Sequence, residues 1–235
     1  MTSKMRSIAQ RLKSAILTPV GTTTSVFDRP DAVALTFDDG PDPEVTPRVL
    51  SVLRERQAHA TFFVLTDEAA RYPELLKRIV DEGHQVGLHF DRHDRITALA
   101  PGTALRRMRA ARDSLAALAG PVRLFRPPYG SQNYLTYAIA RLLGLRVVGW
   151  SQQANDWMDQ SVEKSVDDAC HSLIGGDIIL LHDGLSLTPE EERPSLDRVQ
   201  VADGVLAAAQ AQGLGAITVS ALLQRGPARL SHWFR

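Results

Sequence analysis

The sequence predicts an α/β domain built on a parallel sheet, and three observations predict it. From residue 31 onward, short apolar runs alternate with longer stretches of helical period. Glycines 83, 120, 144, 175, 176 and 213 stand where those helical stretches should stop. No two apolar runs are joined by a tight-turn signal, so the strands should be connected through helices and run parallel. Both a closed or nearly closed barrel and an open doubly wound sheet fit this alternation.

Taken in order, the apolar runs place strands at 32–37, 60–65, 85–90, 123–127, 146–151, 177–182 and 216–219. Between them, apolar residues recur at helical spacing over 45–56, 73–82, 103–118, 134–143, 162–174 and 196–212, with a short last helix at 220–224. No linker or shift of composition interrupts this pattern, which predicts one domain over 31–235, preceded by a basic segment at 1–30. The 235 residues suffice to bury a substantial core.

Composition narrows the function classes. With 27 Lys plus Arg against 27 Asp plus Glu, the chain has no general pull toward nucleic acid, and none is expected as a partner. The single cysteine, Cys170, excludes an intrachain disulfide and a multi-cysteine zinc site. No apolar run approaches the roughly 18 residues of a membrane span. Residues 1–27 hold four bases and no acid, and Met5, Ile8, Leu12 and Ile16 fall at helical spacing. A helix packed on the domain is preferred there over one resting on an anionic membrane surface. The run 15–17 is broken by Thr18-Pro19 and is too short for a secretory core, so the expected compartment is the cytoplasm.

Chemistry gathers at the predicted strand ends, the edge where parallel α/β folds build their sites. The first strand runs into Thr36-Phe37-Asp38-Asp39-Gly40-Pro41, two adjacent carboxylates that burial penalises unless they are paired or metal-bound. The third ends in His89, with His93 four residues on, a spacing that sets both imidazoles on one face of a helical turn. With a neighbouring carboxylate this becomes an Asp-His-His set suited to a divalent metal with open positions. The fourth ends in Arg126-Pro127-Pro128-Tyr129-Gly130, a rigid turn with an arginine able to reach a carboxylate and a backbone N–H able to meet an oxyanion. His182 closes the four-residue apolar run of the sixth, where a carboxylate such as Asp156 could orient it as a general acid. The chain has no GxSxG, P-loop, HExxH or GxGxxG motif, and Cys170 lacks a nucleophile's context. His59, His84, His171 and His232 read as structural or exposed.

Together, TFDDGP at 36–41, HxxxH at 89–93, RPPYG at 126–130, Asp156-Trp157 and LLHDG at 180–184 resemble the polysaccharide deacetylases of carbohydrate esterase family 4, the NodB homology domain. The likeness spans about residues 31–224 with the motifs in the family's order. It implies a distorted (β/α) barrel of about seven parallel strands and a metal-dependent hydrolase that removes acetyl groups, most often N-acetyl groups of amino sugars. Carried over, Asp39, His89 and His93 would hold one divalent ion, zinc first, with cobalt, nickel or manganese as alternatives. Asp38 would be the base, Arg126 its partner, and the Tyr129 N–H an oxyanion donor. His182 would be the acid, tuned by Asp156, with Trp157 and Leu180 lining the acetyl pocket. Amide hydrolysis needs those three services: an activated water, a stabilised oxyanion and a protonated leaving amine. The expected partner is an acetylated saccharide. Competing readings are an O-acetyl esterase, a hydrolase of a non-sugar amide or cyclic imide, and a non-catalytic saccharide-binding relative. The chain departs from the family's usual residues at Phe90, Asp94 and Gln153. The glycan, the native metal and the oligomeric state stay open.

Overall fold

The computed structural model describes residues 21–28, 30–186 and 194–232. The helix expected from Met5, Ile8, Leu12 and Ile16 lies outside them. Strands are β1 (Thr22–Val26), β2 (Ala32–Asp38), β3 (Thr61–Val64), β4 (Gln85–Leu88) and β5 (Leu124–Phe125), then β6 (Arg146–Val147), β7 (Gln152–Gln153), β8 (Ile178–His182), β9 (Gly215–Ile217) and β10 (Ala228–Ser231). Seven of them pair in parallel in the order β6-β5-β4-β3-β2-β8-β7, and β9 lies parallel to the start of β2. The sheet curls into a distorted (β/α) barrel. β2 is its centre, and all seven of its residues are buried, as a parallel strand covered on both faces requires.

Helices cover the outside: α1 (Thr46–Glu55), α2 (Thr66–Arg71), α3 (Pro73–Asp81), α4 (Pro101–Ala119), α5 (Tyr134–Leu142), α6 (Val162–Cys170), α7 (Arg198–Ala211) and α8 (Val219–Leu222). On α4, Ala104, Met108, Ala111 and Leu115 are buried at steps of four and three, the stripe of a helix resting on a sheet. α7 buries more than one face because α6 and α1 pack on it as well as the sheet. Prolines start α1, α3 and α4, where a missing N–H costs nothing. A capping box of Asn133 and Thr136 opens α5.

The structure departs from the sequence reading at several points, each with a local cause. The strand expected at 85–90 stops at Leu88, because Phe90 takes a left-handed backbone with φ 95°. The strand expected at 146–151 is only β6, Arg146–Val147, and β7 follows it at Gln152–Gln153, on the opposite margin of the sheet. The helix expected at 196–212 starts later because the Asp197 side chain accepts the N–H groups of Val199 and Gln200. The last helix is Val219–Leu222, started by a Thr218 cap instead of at Ser220. The short helix α2 was not expected.

The largest addition is β1 with β10, an antiparallel ribbon from the two ends of the chain. It fills the seam the parallel sheet leaves open: Gly149 N–H donates to the Thr23 carbonyl on the β6 side, and Val26 N–H to the Gly176 carbonyl on the β8 side.

Candidate active site

The C-terminal ends of β2, β4, β5, β7 and β8 bring the polar residues together. Asp38 ends β2 and His182 ends β8, and the two are register partners on adjacent strands. Arg126, just past β5, is fully buried, and each of its three guanidinium nitrogens donates a hydrogen bond. Its Nη1 donates to Asp38 Oδ1 and Thr36 Oγ1, both at 2.8 Å, its Nη2 to the Gly149 carbonyl at 2.9 Å and its Nε to the Val148 carbonyl at 3.3 Å. The guanidinium also lies 4.2 Å from the Phe63 ring centroid. Burial lowers its pKa, with the charge of Asp38 opposing. Asp38 is thereby held by one oxygen, while Oδ2 faces His89 Nε2 at 3.9 Å.

Asp39, His89 and His93 present one ligand atom each within 4.8 Å of one another. Asp39 Oδ1 lies 3.3 Å from His89 Nε2 and 3.5 Å from His93 Nε2. His89 Nδ1 must carry a proton, because its partner at 2.9 Å is the Arg126 carbonyl, which can only accept. In the neutral ring that leaves Nε2 as a lone pair aimed at Asp39. His93 is driven toward the neutral form: burial, with the like charges of His89 and His182, outweighs Asp39 and lowers its pKa to about 4. For Asp39, burial opposes ionisation, but His89, His93 and His182 hold its carboxyl well below the usual range. Asp39 Oδ1 is buried without a hydrogen-bond donor and faces two imidazoles. That arrangement fits a divalent cation, which would satisfy all three atoms at once. The two histidines do not share a helical turn, as the spacing suggested; His93 sits in a bend beyond Phe90.

Across the site, His182 Nδ1 pairs with Asp156 Oδ1 at 2.8 Å, and the His182 backbone N–H donates to Asp156 Oδ2 at 2.7 Å. Nε2 is the ring nitrogen left for chemistry. Burial works against the charged ring, but Asp156, Asp39 and Asp38 outweigh it and raise the pKa to about 9. Trp157 stands edge-on to His182 with ring centroids 5.2 Å apart, and Leu180 is buried two residues back along β8. Tyr129 takes a left-handed backbone, φ 59°, in the turn after Arg126, and its ring lies 4.1 Å from that of His93. A cleft of about 770 Å³ opens beside Asp39 and His93, lined also by Asp42, Glu68, Arg71 and Arg92.

Three contributors escaped the sequence reading. Thr36 receives Arg126 and donates to the Ile179 carbonyl at 2.6 Å. Its signal was present: a polar residue in an apolar strand, two positions before Asp38 and so on the same face. Asp183 is fully buried against Gly40, where a Cβ would lie 2.1 Å from its Oδ2. Thr46 Oγ1 donates to Asp183 at 2.6 Å and accepts the Asp42 N–H, tying the loop after Asp39 to β8 and α1. Burial raises the Asp183 pKa to about 7, against the Thr46 hydrogen bond. Of the remaining histidines, His84 is buried and its Nδ1 accepts the Ala60 N–H, while His59, His171 and His232 are exposed.

Comparison with known proteins places the chain and its fold among relatives. A Bacillus cereus peptidoglycan-N-acetylglucosamine deacetylase is 34% identical over 214 residues, covering 88% of this chain and 96% of that one. A chitooligosaccharide deacetylase of Bradyrhizobium is 39% identical over 173 residues, 71% of this chain and 76% of the relative. Among solved structures, the peptidoglycan deacetylase PdaC of Bacillus subtilis superposes with a TM-score of 0.72 at 32% identity, covering 82% of this chain and 90% of that one. The polysaccharide deacetylase model matches residues 27–148, and with these relatives it shows that the chain belongs to the polysaccharide deacetylase family.

Proposed function

We propose that the protein is a metal-dependent hydrolase that removes N-acetyl groups from amino sugars of an oligosaccharide, polysaccharide or glycoconjugate. One observation carries the reading: two opposed proton carriers, Asp38 and His182, stand in register beside the Asp39-His89-His93 ligand set. A saccharide-binding relative needs neither carrier. The Bacillus cereus relative is by its name a deacetylase of an N-acetylated sugar, which supports the amide over the ester.

Asp39, His89 and His93 would hold a divalent cation, zinc by the donor set, which would supply Lewis acidity and lower the pKa of water. Asp38, paired with and aimed by Arg126, takes the proton from the attacking water. The Tyr129 N–H donates to the developing oxyanion. His182, kept protonated by Asp156, delivers its Nε2 proton to the leaving nitrogen, without which an amine is too poor a leaving group. Trp157 and Leu180 border the space for the acetyl methyl.

The test is acetate release from N-acetylated chitooligosaccharides and peptidoglycan fragments, with acetylated xylan as the ester arm. Amide turnover should stop on chelation and return with zinc. Asp38→Asn should keep the metal and lose roughly a hundredfold or more in rate. Asp39→Asn should be partly rescued by excess metal. Acetate from xylan alone would overturn the amide reading, and rescue of Asp38→Asn by metal would reverse the carboxylate roles.

A further inference from the structure

We propose that Arg107, on α4, is a positioning residue for the metal site, fixing the ligand His93 through the loop that carries it. The proposal rests on the reading of Asp39, His89 and His93 as a metal site.

The two histidines are held in different ways. His89 follows directly from β4, and its Nδ1–H is tied to the Arg126 carbonyl. Second-partner hydrogen bonds of that kind are the usual means of orienting a ligating imidazole. His93 has none: its Nδ1 is buried with no hydrogen-bond partner. Its ring rests on Tyr129, itself 52% exposed and covered by the Arg95 guanidinium at 4.4 Å. The aim of Nε2 is therefore set by the backbone of residues 90–94.

That backbone begins strained, with Phe90 at φ 95°. Two main-chain bonds hold its first part, from Thr66 N–H to the Phe90 carbonyl at 3.0 Å and from Asp67 N–H to the Asp91 carbonyl at 3.1 Å. Beyond Asp91 the hold passes to side chains: Arg92 Nε donates to Asp67 Oδ2 at 2.6 Å on an exposed pair, and the two carboxylates on either side of His93 meet at one guanidinium. Arg107 grips Asp91 with two parallel bonds of 2.7 Å, Nε to Oδ2 and Nη2 to Oδ1. The same Nη2 reaches Asp94 Oδ2 at 2.5 Å, and the guanidinium lies 4.8 Å from the Phe90 ring centroid. Asp91 and Asp94 bracket His93. One arginine thus ties three residues of the five-residue stretch 90–94 to a long helix. An isolated surface ion pair would do little, but a bidentate pair inside a three-member network, 27% exposed at the arginine, is the favourable exception. Lysine cannot reproduce the fork.

The experiment measures metal affinity by chelator competition on stripped protein, with cobalt(II) absorption as a second readout of ligand geometry. Arg107→Met should weaken zinc binding tenfold or more, the usual range for a group that orients a ligand, and alter the cobalt bands. Arg107→Lys should recover only part. Arg107→Met combined with Asp91→Asn should be no worse than Arg107→Met alone, since both remove one interaction. Asp94→Asn, a milder change, should lose less affinity than Arg107→Met while the metal-free protein melts as the parent does, which covers the case where Arg107→Met fails to fold. Arg78→Gln, which breaks the Arg78–Glu82 pair on α3, should leave affinity and spectrum unchanged. Parental affinity and spectrum in both Arg107→Met and Asp94→Asn would overturn the proposal, as would an equal loss in Arg78→Gln. If the parent protein binds no metal, the site reading falls and this proposal with it.

Discussion

Asp156 has no exposed surface, yet both of its oxygens are occupied by one residue, the ring and the backbone N–H of His182. A general acid must be protonated to act, so activity should fall on the alkaline side as pH passes the His182 pKa, raised to about 9. Asp156→Asn removes the charge that raises it and leaves the burial that lowers it. The alkaline limb of kcat/KM should then move down by roughly two pH units or more. A bound dication lowers the limb in both proteins, so the difference between them is the measurement; coincident profiles would remove His182 from the acid role. The stability sign is separate. A raised folded pKa gives stabilisation that is complete below 6.5 and fades as pH rises through about 9, and Asp156→Asn should lose it. At this scale the paired carboxylates, the three site histidines and Arg126 were legible because buried charge at a strand end is costly and must have a use. Asp183 was not, since what explains it is a close approach to Gly40, and proximity between residues 143 apart leaves no mark on local sequence.

The parallel strands and their helices were legible from period and stop signals, both local properties. The β1–β10 ribbon was not, because its strands come from opposite ends of the chain and no turn joins them. The Thr-rich stretch Thr22–Val26 carried a strand propensity, but nothing nearby supplied its partner. Where the ribbon meets the β8 side of the seam, Gly176 makes the contact. Gly176 has φ 94°, and a Cβ there would lie 2.5 Å from the Val26 carbonyl oxygen, the end of β1. Gly144, after α5, has φ 76° but open space around it. Gly144→Ala should cost about 1 kcal/mol, for the positive φ alone. Gly176→Ala should cost about 2–3 kcal/mol or more, because β1 must also shift. Urea unfolding midpoints at matched slopes would compare them; equal losses would mean that the ribbon yields freely and does not brace the seam.

Across the whole molecule, the ligand set is a link between strands that do not touch. Asp39 extends β2, His89 and His93 extend β4, and β3 runs between them. A cation there would close the top of the barrel as the ribbon closes its seam, and it would bind the folded chain in preference to the unfolded one. Mass action then fixes the size of the effect: free metal at a thousand times its Kd stabilises by about 4.1 kcal/mol. For a domain of this size that is roughly 8–16 °C in Tm. Chelation should lower the Tm by an amount in that range, and zinc should restore it. His93→Ala should abolish the increment and Asp39→Asn should shrink it, since the first removes a ligand and the second weakens one. His182→Ala should keep it while losing activity, because that ring moves a proton and holds no metal. The pair of measurements separates ligands from proton carriers without relying on turnover. A Tm indifferent to chelator and zinc in the parent protein would remove the metal from Asp39, His89 and His93, and with it the account of why a buried carboxylate oxygen faces two imidazole nitrogens.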